Sequence, residues 1–540
     1  MAIKNLNSLK EIKNSYDAYI VGSGIAGITL AISLEQKGFK IAILEAGHSY
    51  LTKRSQAIYH GKIISDKFHP ELNKYRFRQA GGTSGHWAGR CVEFDIQDFE
   101  RSANNRKLWP IKYEDIAKYY PKARDTLDCS LPVKQANVKK YLDHYCPKLL
   151  NGFTPKGFSE NNFEYYSKPT NLFKKYKKYI KNSKKIDLFY NAYVVSISNN
   201  NTDEKNKSIK IFNSEHVSFS LDIRLLILAT GGLETTRLLL TSGFGNSSGF
   251  LGKGYMSHIA GTFGFFRYKK KFTYGYAKLP NGIYARRRFY KLPSSNDDLG
   301  FIARIHFPKP EYSKHKSPIL SCLYLFRVLI GYEYGLRIGF REKTKDFIKH
   351  FLNITFGMWS IPIQLTKLFY GRFLTARKIP PLMFPVSQTF SLDIHAEQTN
   401  WLKSEVGLGD EKDEFGIPRL VVNWNVSRKN LDKIKVYILQ FINELKKNKD
   451  LEVEINQKNI MDELLRYGAY GGHHIGLSRM GSSPKNSVVN RNLELHDLDN
   501  TYILSSSVFP TSSQANPTLT ITALAHRLSD YIEKHGGINK

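Results

Sequence analysis

The sequence predicts an α/β protein with a Rossmann-like nucleotide-binding half and a second, mixed-sheet half. Three observations carry this. A strand–loop–helix–strand unit with the spacing Gly22-Ser-Gly24-Ile-Ala-Gly27 lies near the N-terminus. A second apolar strand, LLILATGG, runs into a helical pattern at 225–240, as a neighbouring strand of the same sheet should. The chain has 540 residues, 41% of them hydrophobic, enough for more than one sizeable core.

The first strand covers Asp17–Val21 and the helix ITLAISLEQKG ends at Gly38. Gly22 permits the tight turn, and Gly24 lets backbone approach a pyrophosphate at the helix N-terminus. Gly27 allows close helix–strand packing. The next strand, KIAILEAG, ends in Glu45, placed to accept from ribose hydroxyls and to disfavour a 2′-phosphate. Ser23, Ala26 and Ala46 belong to the same binding surface. The motif alone does not choose between NAD and FAD.

The block RQAGGTSGHWAGRC at 78–91 is crowded with small residues. Its small residues let backbone press on a flat ligand. Gly81, Gly82, Thr83, Ser84, His86, Trp87 and Ala88 are the binding positions. Here the chain resembles the glucose–methanol–choline (GMC) oxidoreductases, in the branch of pyranose 2-oxidases and fructose and gluconate dehydrogenases. That branch carries GG-x-[ST]-x-HW, matched by Gly81, Gly82, Ser84, His86 and Trp87. The resemblance implies a GMC fold, an FAD cofactor and His86 as a point of covalent attachment to it.

Further blocks follow in the family's order. Val194 in NAYVVSISN takes the adenine position, and Ala229 and Gly231 close the strand at 225–240. His258 in LGKGYMSHI matches a structural histidine. Residues 397–424 match a strand-and-hairpin region, with Glu405 standing where many members carry Arg or Asn.

Oxidising an alcohol requires a base for the hydroxyl proton and a polar group to hold the oxygen. The resemblance assigns these to His473 in HHIG, followed by Val488-Val-Asn490, and to Asn516 in ANPTLT. Pro517 and Thr518 then lie against the flavin, with a helix N-terminus behind them. His474 is the alternative base. Neighbours in an extended segment face opposite ways, so one of the two histidines should face the flavin. No metal is implied: His48, His60, His69, His395 and His526 show no ligand spacing.

Net charge is +32, which favours anionic partners. No nucleic-acid-binding motif accompanies it. The four cysteines, Cys91, Cys129, Cys146 and Cys322, form no pair or cluster, and the N-terminus lacks an apolar signal core, so a cytoplasmic enzyme is expected. Segment 316–383 carries eleven basic and three acidic residues among large apolar ones. It reads either as an interfacial element docking on an anionic inner leaflet or as a helical cap over the substrate pocket. Its uncharged stretch 351–366 is too short and polar to span a bilayer. Lys269–Lys271 and Arg286–Arg288 are read as part of the same basic face or as a phosphate site.

The expected organisation is an FAD domain from 1–100, 185–260 and 462–540, intertwined with a substrate domain from 101–184 and 261–461. The expected activity is FAD-dependent oxidation of CH–OH, of a sugar or sugar-like polyol, with hydride passing to flavin N5. A dehydrogenase with a quinone or cytochrome acceptor is favoured over an oxidase. The alternatives are a sterol or lipid-linked alcohol substrate and a flavin lyase of the same fold.

Overall fold

Six parallel strands form the nucleotide-side sheet, in the order Ile3–Asn5, Ile186–Tyr190, Ile41–Leu44, Ala18–Val21, Leu226–Leu228 and Thr501–Ile503. The central strands, AYIV, IAIL and LIL, are buried along their whole length. A parallel sheet covered on both faces requires such continuous apolar runs. Helix Ile25–Glu35 packs against the C-terminal helix Thr518–His535, so the two ends of the chain meet beside this sheet. His526 holds the contact, with Nδ1 2.9 Å from Ser33 Oγ and Nε2 3.0 Å from Thr126 Oγ1.

These facts come from a computed structural model that describes the chain apart from residues 1–2, 7–11, 13–15, 65–68, 104–105, 134–136, 169, 200–206, 271–274, 296–297, 309, 330–339, 375–388, 456–459, 461–463, 466–471 and 536–540. Lys271 and, within segment 316–383, residues 330–339 and 375–383 lie outside the described residues.

The second sheet is antiparallel. Its strands run Leu451–Ile455, His258–Tyr268, Phe390–Glu397, Phe301–His306, Tyr284–Lys291, Phe158–Tyr166 and Arg90–Cys91, with Tyr276–Lys278 beside Tyr284–Lys291. Alternation sorts the side chains. Phe301, Ala303 and Ile305 join a core under helix Arg428–Leu445, which adds Ile434, Ile438 and Phe441. Arg304 and His306, of the other parity, face a large cavity between the two sheets.

The same alternation corrects the reading of the arginine triplet as surface charge. Arg286, Arg287 and Arg288 are all buried within the antiparallel sheet. Arg287 turns to the Cys146 carbonyl and Asp143, while Arg286 and Arg288 turn to Glu164. Lys269 and Lys270 are elsewhere, exposed and paired with Glu452 and Asp450. Among the described residues, no helix is long and apolar enough to cross a membrane.

Candidate active site

The cavity between the sheets has a volume of about 1450 Å³. Typical small-molecule sites hold about 300–1,000 Å³, so a dinucleotide and a substrate fit together. It opens at the C-terminal ends of the parallel strands, lined by Val21, Leu44, Ala229 and Leu504, where α/β sheets bind their ligands.

The glycine loop is shaped for a large ligand. Gly22 has φ +99°, and a Cβ there would stand 2.7 Å from the Ala229 carbonyl. At Gly27 a Cβ would stand 2.0 Å from the Gly22 oxygen. Both are therefore held by the fold itself. Gly24 and Gly231 differ: a Cβ at either meets nothing within 4 Å, and both line the cavity. Their missing side chains leave room for a bound group. Glu45 lines the cavity as well, but its carboxylate also pins the loop. It accepts from Ser23 N and Oγ at 2.9 and 2.6 Å and from Gly47 N at 2.7 Å.

Seventeen of the predicted positions reach the cavity wall. On the nucleotide side these are Gly22, Gly24, Ala26, Glu45, Ala46, Val194, Ala229 and Gly231. The wall continues with Gly82, Thr83, His86, Trp87 and Ala88, then Pro517 and Thr518, and last His473 and Asn516. Ser23, Gly27, Gly81 and Ser84 stand behind the wall and shape it. Ser84 Oγ, for example, donates to the Gly81 carbonyl and accepts from Leu172 N. His86 is exposed to the cavity, its ring stacked on Phe77 at 3.8 Å and 14°.

The two predicted chemical residues touch. Asn516 Nδ2 donates to His473 Nε2 at 3.2 Å, and Asn516 Oδ1 accepts from Arg90. Behind them stands His258, whose Nε2 is 3.0 Å from the Ser512 carbonyl and whose Nδ1 is 2.8 Å from His473 Nδ1. A carbonyl only accepts, so His258 Nε2 carries a hydrogen. A neutral His258 then accepts at Nδ1, which places the hydrogen of His473 on Nδ1 and leaves Nε2 with a bare lone pair. Burial, reinforced by the Arg90 guanidinium, holds His473 down to about 3. Burial, with His473 and Arg90, likewise holds His258 well below the usual histidine range. The pair is neutral at cellular pH, as a base and its orienting partner should be.

His474 turns the other way. Its Nδ1 is 2.7 Å from the Tyr255 hydroxyl, which is 2.9 Å from His69 Nε2. The ring nitrogens of His258, His395 and His473 lie within 4.8 Å of one another, a convergence their sequence spacing does not show.

The sequence of residues 403–525 matches the model of the GMC oxidoreductase family's C-terminal domain, and 20–51 matches an NAD(P)-binding Rossmann-like domain. The chain therefore carries a GMC oxidoreductase C-terminal domain together with a Rossmann-like nucleotide-binding domain. It is 22% identical to 2-methyl-1,2-propanediol dehydrogenase of Mycolicibacterium austroafricanum, over 96% of this chain and 95% of that one. It is 21% identical to the fructose dehydrogenase large subunit of Gluconobacter japonicus, over 96% and 98%. In structure it resembles a formate oxidase of Aspergillus oryzae RIB40, solved in a study of FAD modification (TM-score 0.55, 16% identity, 96% and 98% coverage). These relatives support an oxidoreductase acting on alcohols.

The chain also carries site residues that motif reading did not find. Arg90 ends the glycine-rich block and reaches Asn516. His395 packs its ring against His258, tilted at 32° with centroids 4.4 Å apart, and bonds the Gln514 carbonyl at 2.8 Å. Lys168, Lys278, Arg286 and Arg304 line the far end of the cavity. The signal was available at IYARRRFY: charged residues inside an apolar strand must bury some of their charge. Glu405, the departure from the family pattern, pairs with Lys253 away from the cavity.

Proposed function

We propose that this chain is an FAD-dependent oxidoreductase that converts CH–OH to a carbonyl, on a sugar or sugar-like polyol. The observation that supports it best is the chain Ser512–His258–His473–Asn516, which holds an unprotonated imidazole nitrogen at the cavity wall beside the Asn516 amide. His473 Nε2 takes the hydroxyl proton, and Asn516 Nδ2 steadies the oxygen as negative charge develops on it. FAD, held along Gly24, Glu45, Thr83 and Gly231, supplies the acceptor for the departing hydride. Arg90 fixes the Asn516 amide by taking its oxygen, so the NH2 faces His473. The diol and fructose dehydrogenase relatives support polyol chemistry by a dehydrogenase, for which a quinone or cytochrome acceptor is proposed. His86, at the cavity wall with its ring open to the cavity, is proposed to bond FAD covalently. Anaerobic mixing of the holoenzyme with a panel of polyols tests the reading: the flavin band should bleach with at least one. Turnover without bleaching would point to the lyase alternative.

We further propose that the segment within 316–383 docks on an anionic bilayer. No described residue of it lines the cavity, which leaves the cap reading without support. Its helices, Pro318–Leu329, Phe340–Gly357 and Ile361–Phe369, bury only part of their apolar surface, with Leu320 and Tyr324 inward. The inner face holds polar groups: buried His350 bonds Ser321 Oγ at 3.0 Å, and Asn353 bonds the Ser313 carbonyl at 2.8 Å. The outer face shows Leu329, Phe356 and Trp359, 84%, 75% and 76% exposed, with Phe351, Ile363 and Phe373 beside them. Soluble surfaces rarely expose so much contiguous apolar area. The stretch 347–374 carries Lys349, Lys367 and Arg372 and no acidic residue, which suits anionic lipid. Full-length protein should float with phosphatidylglycerol vesicles and lose that binding on Phe356→Asp/Trp359→Asp. A stable dimer dissociated by the same changes, with no flotation, would assign the face to a second copy.

A further inference from the structure

The cavity wall beyond Asn516 is cationic to a degree that alcohol oxidation does not require. Arg90, Arg286 and Arg304 line it, with Arg288 immediately behind. All four converge on one fully buried carboxylate, Glu164. Arg90 Nη2 and Arg304 Nη2 lie 2.8 and 2.9 Å from its Oε1, Arg288 Nη1 lies 3.4 Å from the same oxygen, and Arg286 Nη1 lies 4.0 Å from Oε2. Among the described residues lining this end, the one further acid is Asp393, which faces Arg304 across the strand pair and accepts from Thr262 Oγ1 at 2.6 Å. With Asp95, which acts on Arg288 from behind the wall, three acids face four guanidiniums. Lys168 and Lys278 line the same end, and neither pairs with an acid among the described residues.

The surplus is visible in individual atoms. Arg286, with 2% of its side chain exposed, bonds the Ile305 carbonyl at 2.6 Å and the Tyr276 hydroxyl at 3.3 Å, yet its buried Nε has no hydrogen-bond partner. Arg304 Nε and Nη2 also lack one; Nη2 is close to Glu164 but misaligned for a hydrogen bond. Burial raises the Glu164 carboxyl, but the guanidiniums of Arg304, Arg90, Arg288 and Arg286 override it and hold it well below the usual range. Burial also pulls Arg90 itself down to about 9, against Glu164 and with the help of Arg304 and Arg288. Buried donors without partners and buried charges without counter-charges are costly, and proteins keep them where a ligand completes them. The dinucleotide's phosphates are not that ligand, because their helix terminus at Gly24 belongs to the parallel sheet and the cluster belongs to the antiparallel one.

We infer that the alcohol oxidised here bears an anionic group, a carboxylate or a phosphate, which Arg286, Arg304 and Lys278 hold while its hydroxyl meets His473. Tyr166, Tyr276 and Tyr284 line the same stretch and suit a hydroxylated carbon skeleton between the two ends. This inference rests on the alcohol-oxidation reading, and the two fail differently.

The test presents the holoenzyme, under anaerobic conditions, with matched alcohols: glucose, glucuronate and glucose 6-phosphate, and glycerol, glycerate and glycerol 3-phosphate. One or both anionic series should bleach the flavin with kcat/KM about a hundredfold above the neutral alcohols, and the more active arm identifies the anion. Lys278→Gln, which leaves the buried cluster intact, should raise KM for the anionic alcohol about tenfold more than it raises that of the neutral one. Arg304→Gln should cost about a hundredfold in kcat/KM. Protection of the holoenzyme against thermal unfolding by inorganic phosphate or acetate, weakened by Lys278→Gln, reads the site without catalysis. Neutral polyols oxidised as fast as anionic ones, with Lys278→Gln silent, would overturn the inference and leave the alcohol reading standing. Anion protection lost in Lys278→Gln, with no alcohol of any charge bleaching the flavin, would overturn the alcohol reading and leave the anion site standing.

Discussion

Replacing His258 tests whether the site is organised as a proton-orienting chain. His258 touches no substrate position; it acts on His473 alone, through the 2.8 Å bond between their Nδ1 atoms. Because Nε2 of His258 is committed to the Ser512 carbonyl, its Nδ1 can only accept while the ring is neutral. His473 is thereby restricted to the tautomer with a free Nε2. His258→Leu removes the acceptor. The preference it enforced is one buried hydrogen bond, about 0.5–1.5 kcal/mol net, and the Nδ1–H left without a partner adds to the loss. A total of about 1–2 kcal/mol lowers the rate of flavin reduction about 5- to 30-fold, at a factor of ten per 1.36 kcal/mol. His258→Asn, whose Oδ1 can stand where Nδ1 stood, should recover most of it. The assay is anaerobic stopped-flow reduction with the best polyol of a panel, beside the flavin absorbance that reports cofactor retention. A His258→Leu enzyme that keeps its FAD and reduces it within twofold of the parent rate would refute the tautomer argument. So would equal losses in the Leu and Asn variants.

Three further outcomes follow from the same geometry. Gly24→Ala should fold with an unchanged melting temperature and bind FAD more weakly, since its Cβ meets only the cavity, whereas Gly27→Ala should lower the melting temperature through its 2.0 Å clash with the Gly22 oxygen. Acid precipitation should leave yellow colour in the pellet, and His86→Ala should release it to the supernatant. The third concerns pH. Burial holds His258, His395, His473 and His474 below the usual histidine range, so the unfolded chain takes up protons below about 6.5 that the native chain refuses until His473 titrates at about 3. Stability is therefore fully present above about 6.5 and is lost as pH falls towards about 3, by about 1.4 kcal/mol per pH unit for each group, and a urea midpoint series from pH 7 to 4.5 should show His395→Leu flattening that slope.

The nucleotide half was legible because its signals are local. The strand, glycine turn, helix and acid of 17–45 all lie within one βαβ unit, and each glycine's role depends on its near neighbours. His473 and Asn516 were legible only through resemblance, since no spacing rule brings a histidine loop to an Asn-Pro-Thr turn. The cationic wall was legible only in part: the triplet Arg286–Arg288 could be read as a phosphate site, but its partners could not. Arg286 meets Glu164 because the two strands pair antiparallel with those residues in register, and Arg304 meets Asp393 the same way. Register between strands far apart in the chain is a tertiary property. It turned an apparent surface triplet into two buried faces, with Arg287 on one and Arg286 and Arg288 on the other. His395 was passed over for the same reason: it is drawn to His258 by the pairing of Phe390–Glu397 with His258–Tyr268.

The central claim is that His473 is the base that begins alcohol oxidation on the flavin. The direct measurement is anaerobic reduction of FAD in His473→Ala, purified with its cofactor, beside the parent enzyme and the same alcohol. The account predicts an intact flavin spectrum and a rate at least a hundredfold slower. Retention of the parent rate with FAD bound would contradict it and move the base to His474 or elsewhere.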